Sequence, residues 1–364
     1  MGYDFSRMSC LLVEDNKFMQ GVLRIVMDSL GVRNYYFAQD GKEAIEILQL
    51  RSGTLKAVGS GGIDVVISDV VMPGIDGNML LRWIRRSENS PDRFVPVVMI
   101  SGMVDRKCLT TARDAGVNEF VAKPFSPDII FKRVQKVIES PRQFVYTPTY
   151  FGPDRRRSRG FVEEDRRKLS ESDCEIVYSG KDPGKFRKDK PPVWLFRMPN
   201  RLKEKLSGGD FEFASDGGLA DTDILEAAKA QIAEMADDYT DWVKETITDL
   251  VNAHEEAQNS FGKAEEQMKI AMEKLNLLAH ELRGQGGVFG YPLISEFGKS
   301  LYNCSGAGAR VTENLLEFVK THIDGITAVI NGNVKGDGGP VGKELLKSLE
   351  AAKKKYSGDS AKAA

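Results

Sequence analysis

Three carboxylates, a hydroxyl and a lysine stand where together they could handle a phosphoryl group. Glu14 and Asp15 follow the apolar run "SCLLV", and Asp69 ends "VVISD". Ser101 ends "VVMIS", and Lys123 follows "EFVA". Carboxylates gathered at one place repel one another unless a cation joins them, and oxygen ligands with room for water suit Mg²⁺. A lysine and a hydroxyl supply the cationic and hydrogen-bonding partners that the oxygens of an incoming phosphoryl group need. In such a setting Asp69 would be the nucleophile, forming an acyl phosphate. Each acidic residue alone would read as a loop cap or a solvated charge. Their shared position at the ends of apolar runs makes a site the better reading.

A second candidate lies in "AHELRGQGGVFG", residues 279–290. On a helical projection His280 points about 170° away from the apolar line of its own helix, with Arg283, Gly284 and Gly287 on its side. The expectation is an exposed imidazole with a cation one turn on and two positions without side chains. Glycine inside a helix costs ~1 kcal/mol relative to alanine, so Gly284 asks for a reason. Clearance for another protein's active site is the physical one, and Arg283 would stabilise phosphate charge. A solvated surface histidine is the plain alternative. His322 falls on the apolar line of its helix and reads as core. His254 sits at the edge of an apolar face, where no function is expected.

The elements that must position these residues follow from the apolar pattern. Residues 8–139 alternate short apolar runs with helical stretches near 16–30, 41–51, 77–88, 105–115 and 126–139. Five such repeats predict a doubly wound α/β domain with a five-stranded parallel sheet, and ligands of such sheets bind at the carboxyl ends of the strands. The piece 52–62 is a longer loop than these units need. Residues 141–220 are expected to be a basic, proline-rich linker, because 140–210 hold seven of the fourteen prolines, show no sustained period and include "GPDRRRSRG". If flexible, about 70 such residues would span roughly 45–50 Å. Within them "PPVWLFRMPNRLKEKL" is apolar enough to dock on a neighbouring domain.

From residue 221 the period becomes helical. A first helix, capped by Thr222 or Asp223, runs through Ala228, Met235, Tyr239, Trp242, Leu250 and Ala253. A second carries Met268, Ala271, Leu275, Leu278 and Leu282; a third follows Pro292; a fourth carries Val311, Leu315, Val319, Ile326 and Val329. Four amphipathic helices with short connections predict an all-α antiparallel four-helix bundle over 221–333. The Lys/Gly/Ala-rich tail 334–364 is expected to be a frayed helix or disordered.

The net charge of −2 conceals blocks: +6 over residues 141–210 and −12 over 211–333. The acidic helical part would be repelled by nucleic-acid phosphates, so "RRRSRG" alone does not support DNA binding and no nucleic-acid partner is expected. No run approaches the ~20 apolar residues of a membrane helix, and no secretion signal is visible. Cys10, Cys108, Cys174 and Cys304 are too widely spaced for a metal site and read as reduced thiols of a cytoplasmic protein.

The motifs "LLVEDN", "VVISDVVMPGIDG", "VVMISG" and "FVAKPF" resemble the receiver domain of two-component response regulators, over residues 8–139 of a domain expected at 1–140. That resemblance implies a flavodoxin-like fold with Asp69 as phosphoacceptor. It implies Mg²⁺ held by Glu14, Asp15, Asp69 and the Val71 carbonyl, with Ser101 and Lys123 as switch hydroxyl and lysine, and a cis bond before Pro124. Phe120 stands at the switch-aromatic position and has no hydroxyl to signal with. The insertion around 52–62 lies away from the phosphorylation end.

"HELRGQGGVFGYPLI" is similar to histidine-containing phosphotransfer domains, with Arg283 in place of the common lysine and Gly284, Gly287 and Gly290 at matching spacing. Histidine kinases also carry "HELR", followed there by Thr-Pro and an ATP-binding domain. Here Gly284 follows, and the 80 residues after it show no glycine-rich phosphate loop.

The two resemblances together imply a phosphorelay protein of a two-component system. Asp69 would take a phosphoryl group from a sensor histidine kinase or another phosphotransfer histidine. His280 would exchange it with the aspartate of a response regulator receiver domain. The chain would then be a transfer intermediate without kinase activity of its own. The alternative is a phosphorylation-controlled receiver whose helical domain is a docking or dimerising scaffold.

Overall fold

Runs rich in valine and isoleucine, buried along their whole length, form strands of a sheet covered on both faces. β3 (Val65–Asp69) and β4 (Val97–Ser101) are buried at all five positions. They lie with β1 (Ser9–Val13), β2 (Asn34–Ala38) and β5 (Glu119–Ala122) in one parallel sheet of order β2-β1-β3-β4-β5. In this computed structural model the described residues are 2–53, 62–102, 106–147, 149–155, 175–177, 194–213, 222–306 and 308–360. Residues 54–61 of the long loop, residues 156–160 of the basic cluster, and Cys174 lie outside them.

Five helices accompany the sheet: α1 (Lys17–Ser29), α2 (Gly41–Gly53), α3 (Gly77–Arg86), α4 (Arg106–Ala115) and α5 (Pro127–Glu139). Local chemistry sets their starts. The Asn16 side chain accepts from the Phe18 and Met19 amides, and Asp76 accepts from the Met79 amide at 2.7 Å. Pro127 opens α5, where its missing N–H costs nothing. Because β1 is flanked by β2 on one side and β3 on the other, the connections diverge there and leave a crevice at the strand ends.

The segment expected to be a linker is built otherwise. It contains β6 (Phe144–Tyr146), β7 (Phe151–Pro153), β8 (Glu175–Val177) and β9 (Trp194–Phe196), in a second sheet of order β7-β6-β9-β8. The rings of Phe144, Phe151 and Phe196 surround Phe94, which precedes β4, at centroid distances of 5.1, 5.2 and 5.3 Å. α6 (Arg201–Leu206) follows, and Tyr3 exchanges backbone hydrogen bonds with Phe211 at 2.7 and 3.3 Å. The apolar piece around Trp194 does dock, on the α/β domain.

Arg85 of α3 anchors this junction from inside. It is fully buried and donates to the carbonyls of Gly116, Arg93 and Val95 and to Asn118 Oδ1, all within 3.0 Å. Its guanidinium carbon lies 5.1 Å from the centre of the Phe144 ring. Three-residue strands are too short to show a period, which is why this region reads as linker.

The chain divides into two compact units, Met1–Ala122 with Ser126–Lys229, and Lys123–Phe125 with Ala230–Ala364. The helices from residue 222 onward are α7 (Thr222–Glu234), α8 (Ala236–Ser260), α9 (Glu265–Gln285), α10 (Pro292–Ser305), α11 (Glu313–Asn331) and α12 (Gly339–Ser360). The first expected helix is thus broken at Met235 into α7 and α8. α9 packs against α8 and α10, and α11 packs against the same two. The tail is not frayed up to residue 360: α12 packs on α11, with Tyr356 stacked on Phe318 at 5.4 Å.

His322 is a core residue as expected, fully buried, with Nδ1 at 2.6 Å from the Phe318 carbonyl oxygen and Nε2 at 2.8 Å from Ser300 Oγ. Burial pushes its pKa down to about 4. His254 is buried too, tied to the Leu316 carbonyl at 2.9 Å. Among the described residues no helix is long and apolar enough to cross a membrane, and Cys10, Cys108 and Cys304 are free thiols.

Candidate functional site

Parallel strands in register bring the acidic residues to one end of the sheet. Val13 pairs with Ser68, so Glu14 and Asp15 leave β1 beside Asp69, the last residue of β3. Glu14, Asp15 and Asp69 offer ligand oxygens that all lie within 4.8 Å of one another. Glu14 and Asp69 are buried, at 1% and 3% exposure. Asp69 Oδ1 accepts from the amides of Val70 at 2.6 Å and Val71 at 3.3 Å, which aims the carboxylate. Gln20 Nε2 donates to the Glu14 carbonyl at 2.6 Å, tying the ligand loop to α1.

Ser101 is fully buried at the end of β4. It pairs with Ala122, the last residue of β5, so Lys123 leaves the neighbouring strand directly after that pair. The Lys123–Pro124 peptide is cis. Val71 is half-buried just beyond Asp69, and Phe120 is half-buried on β5, opposite Met99. Three clustered carboxylates, two of them shielded from water, form an oxygen-rich set that fits a hard divalent cation such as Mg²⁺.

Gly77 also belongs to this site and was not singled out by sequence. It starts α3, and its amide donates to the Val70 carbonyl at 3.0 Å. A β-carbon there would fall 2.0 Å from the Asp69 carbonyl oxygen. The signal was present in "GIDG", an N-capping aspartate followed by glycine at the first helical position.

In the helical unit, α9 carries His280, Arg283 and Gly284. The expected open face is not found: His280 is only 9% exposed and Gly284 is buried. Tyr302 of α10 lies beside the imidazole, ring centroids 5.5 Å apart. The Arg283 guanidinium lies 5.5 Å from the centre of the same Tyr302 ring. The Gly287 amide donates to Ser295 Oγ at 3.0 Å. The carboxylate cluster and His280 thus belong to separate units.

Comparison with known proteins places the first of these sites in a family. Residues 10–135 match the response regulator receiver domain. Over 132 residues the chain is 31% identical to the chemotaxis protein CheY of Pseudomonas aeruginosa, covering 36% of this chain and 97% of that protein. It is also 31% identical over 132 residues to the chemotaxis protein CheY-3 of Vibrio cholerae, covering 36% and 92%. Among solved structures, the receiver domain of a Pseudomonas aeruginosa sensor histidine kinase, with magnesium coordinated in its active-site cleft, is 27% identical. That match has a TM-score of 0.30 and covers 37% of this chain and 97% of that one. Through residues 10–135 the chain belongs to the response regulator receiver family.

Proposed function

We propose that this chain is a phosphorelay intermediate with two acceptors, Asp69 in the receiver and His280 in a four-helix phosphotransfer bundle formed by α8–α11. The observation that carries the reading is the carboxylate trio, with ligand oxygens within 4.8 Å, around a buried Asp69 aimed by two backbone amides. Glu14, Asp15 and Asp69 would hold Mg²⁺, with the Val71 carbonyl as the expected further ligand. Bound there, the cation would offset the charge of the carboxylates and of the phosphoryl oxygens.

The chain's own groups do the rest. Asp69 is the nucleophile: a carboxylate oxygen attacks phosphorus in line as the donor's bond to phosphorus breaks. Ser101 and Lys123 would hydrogen bond the transferred oxygens. Exclusion of water by the buried strand ends strengthens each of these interactions. At His280 the neutral imidazole takes the group from an aspartyl phosphate, and Arg283 supplies charge for the phosphate. The donors are sensor histidine kinases or phosphotransfer histidines, and the partners of His280 are receiver aspartates. The chain needs no ATP-binding site for either step and would act in the cytoplasm.

The experiment is labelling by acetyl phosphate and Mg²⁺ of wild type, Asp69→Ala and His280→Gln. The reading expects a base-labile label that Asp69→Ala abolishes, and an acid-labile, base-stable label that His280→Gln abolishes. A His280→Gln chain that still relays fully would remove the second acceptor.

The alternative reading keeps Asp69 as the sole acceptor. In it, phosphorylation of Asp69 alters the receiver, and the helical unit is a docking scaffold that never takes a phosphoryl group. Absence of any base-stable label on wild type would select it.

A further inference from the structure

We propose that Tyr302 is a positioning residue for phosphoryl exchange, holding His280 and Arg283 in a fixed mutual arrangement; this rests on the reading of His280 as a phosphoacceptor. His280 and Arg283 are three residues apart on α9 and therefore neighbours on its surface. Their common contact comes from α10. The Tyr302 ring lies 5.5 Å from the imidazole, inclined by 54°, and 5.5 Å from the Arg283 guanidinium carbon.

Two features show that this contact is built rather than incidental. Gly298, one turn before Tyr302, lets the helix backbones touch: a β-carbon there would fall 2.6 Å from the Arg283 nitrogen and 3.0 Å from the Ala279 carbonyl oxygen. Asn276, one turn before His280, reaches across from Nδ2 to the Tyr302 carbonyl at 2.8 Å and to Ser305 Oγ at 3.0 Å. Close approach at Gly298 and hydrogen bonds from Asn276 fix the place of Tyr302 along α9. Its ring then falls on the two side chains that the transfer needs.

The chemistry explains what such a ring would do. In the exchange, the aspartyl P–O bond breaks with its electron pair returning to the carboxylate. An N–P bond forms from the lone pair of the neutral imidazole, and the other ring nitrogen keeps its proton or yields it to water. The attacking nitrogen must face phosphorus in line, and an imidazole free to turn about two bonds seldom does so. A flanking aromatic face restricts those turns, and the same face attracts the guanidinium through its negative π surface. Tyr302 therefore acts through ring packing, and its hydroxyl is dispensable.

The test uses the full chain with Tyr302 intact, Tyr302→Phe and Tyr302→Leu. Labelled phosphoryl group reaches His280 in cis from Asp69, loaded by acetyl phosphate and Mg²⁺. It also reaches it in trans, from a loaded His280→Gln chain to Asp69→Ala chains. Tyr302→Phe should transfer within about two-fold of wild type, and Tyr302→Leu about ten- to hundred-fold more slowly at saturating donor, with half-saturation unchanged. The ring-current displacement of the His280 imidazole proton resonances should persist in Tyr302→Phe and vanish in Tyr302→Leu. Circular dichroism checks folding, and if Tyr302→Leu is unfolded, Tyr302→Met, also without a ring, takes its place.

Wild-type transfer by the ringless variant overturns the inference, as does a Tyr302→Phe chain as slow as Tyr302→Leu, or an effect confined to half-saturation. If wild type takes no label at His280 in either arm, the phosphoacceptor reading itself fails and takes this inference with it. That outcome is distinct from unimpaired transfer without the ring, which leaves the reading standing.

Discussion

Gly77 abuts the backbone of Asp69 so closely that a β-carbon would lie 2.0 Å from the Asp69 carbonyl oxygen and 3.0 Å from the Val70 Cα. Both atoms are main chain, so neither can turn aside. Gly77→Ala should therefore shift either α3 or the end of β3, at a cost of about 1–3 kcal/mol. Urea unfolding reads the cost, and the rate of acetyl phosphate labelling of Asp69 reads the displacement, which should slow it. Unaltered stability together with unaltered labelling would show that the contact is relaxed without consequence.

The carboxylate cluster makes opposite predictions with and without metal. In chelator, Asp15→Asn should melt at or above the wild-type temperature, because a like charge is removed from beside Glu14 and Asp69. In Mg²⁺ the wild type should gain stability by mass action, about 2.7 kcal/mol when the ion is at a hundred times its Kd. Asp15→Asn should gain much less and label poorly. Thermal melts in the two buffers check both signs, and an equal Mg²⁺ response in the two proteins would remove Asp15 from the ligand set.

Arg85 ties α3 to the segments around Val95 and Gly116 through four hydrogen bonds, and meets the second sheet at the face of Phe144. Arg85→Met keeps much of the volume but deprives the Gly116, Arg93 and Val95 carbonyls of that donor. The expected loss is about 2–4 kcal/mol in urea unfolding. Hydrogen exchange of the β6 amides should accelerate with it. A stability change within about 0.5 kcal/mol, the scale of ordinary surface substitutions, would mean that other groups fill the gap.

His322 sets an acid limit on the helical unit. Burial holds its pKa at about 4 in the folded chain, below the ordinary imidazole value, so the unfolded state binds the extra proton first. Stability is fully present above pH ~6.5 and declines as pH falls through the window down to about 4, by on the order of 3 kcal/mol. His322→Gln, which cannot take up that proton, should show a flatter decline. Urea midpoints across this pH range measure it, and parallel slopes for the two proteins would remove His322 as the cause.

Much of the receiver is legible because its signals are local. Buried runs such as "VVISD" and "VVMIS" end in the residues that matter, and parallel register carries those ends to one edge without further information. His322 was legible for a similar reason, lying on the apolar line of α11. The segment after α5 was not. "FVY", "FGP" and "WLF" are each too short to show a period, and what makes them strands is mutual pairing and the Phe94–Phe144–Phe151–Phe196 cluster. Arg85, in a helix ending "RWIRR", looks like any surface arginine until the loops around Gly116 and Asn118 close over it.

The sequence by itself determined the order of strands and helices in residues 8–139, the acidic set Glu14, Asp15 and Asp69, and the helical nature of the part from residue 221. Those properties follow from patterns a few residues long. Tertiary structure alone decided that Gly77 presses on Asp69, that described parts of the expected linker form a second sheet, and that His280 lies against Tyr302. Each joins residues from different elements, and its energy comes from close packing between surfaces that no single helix or strand describes.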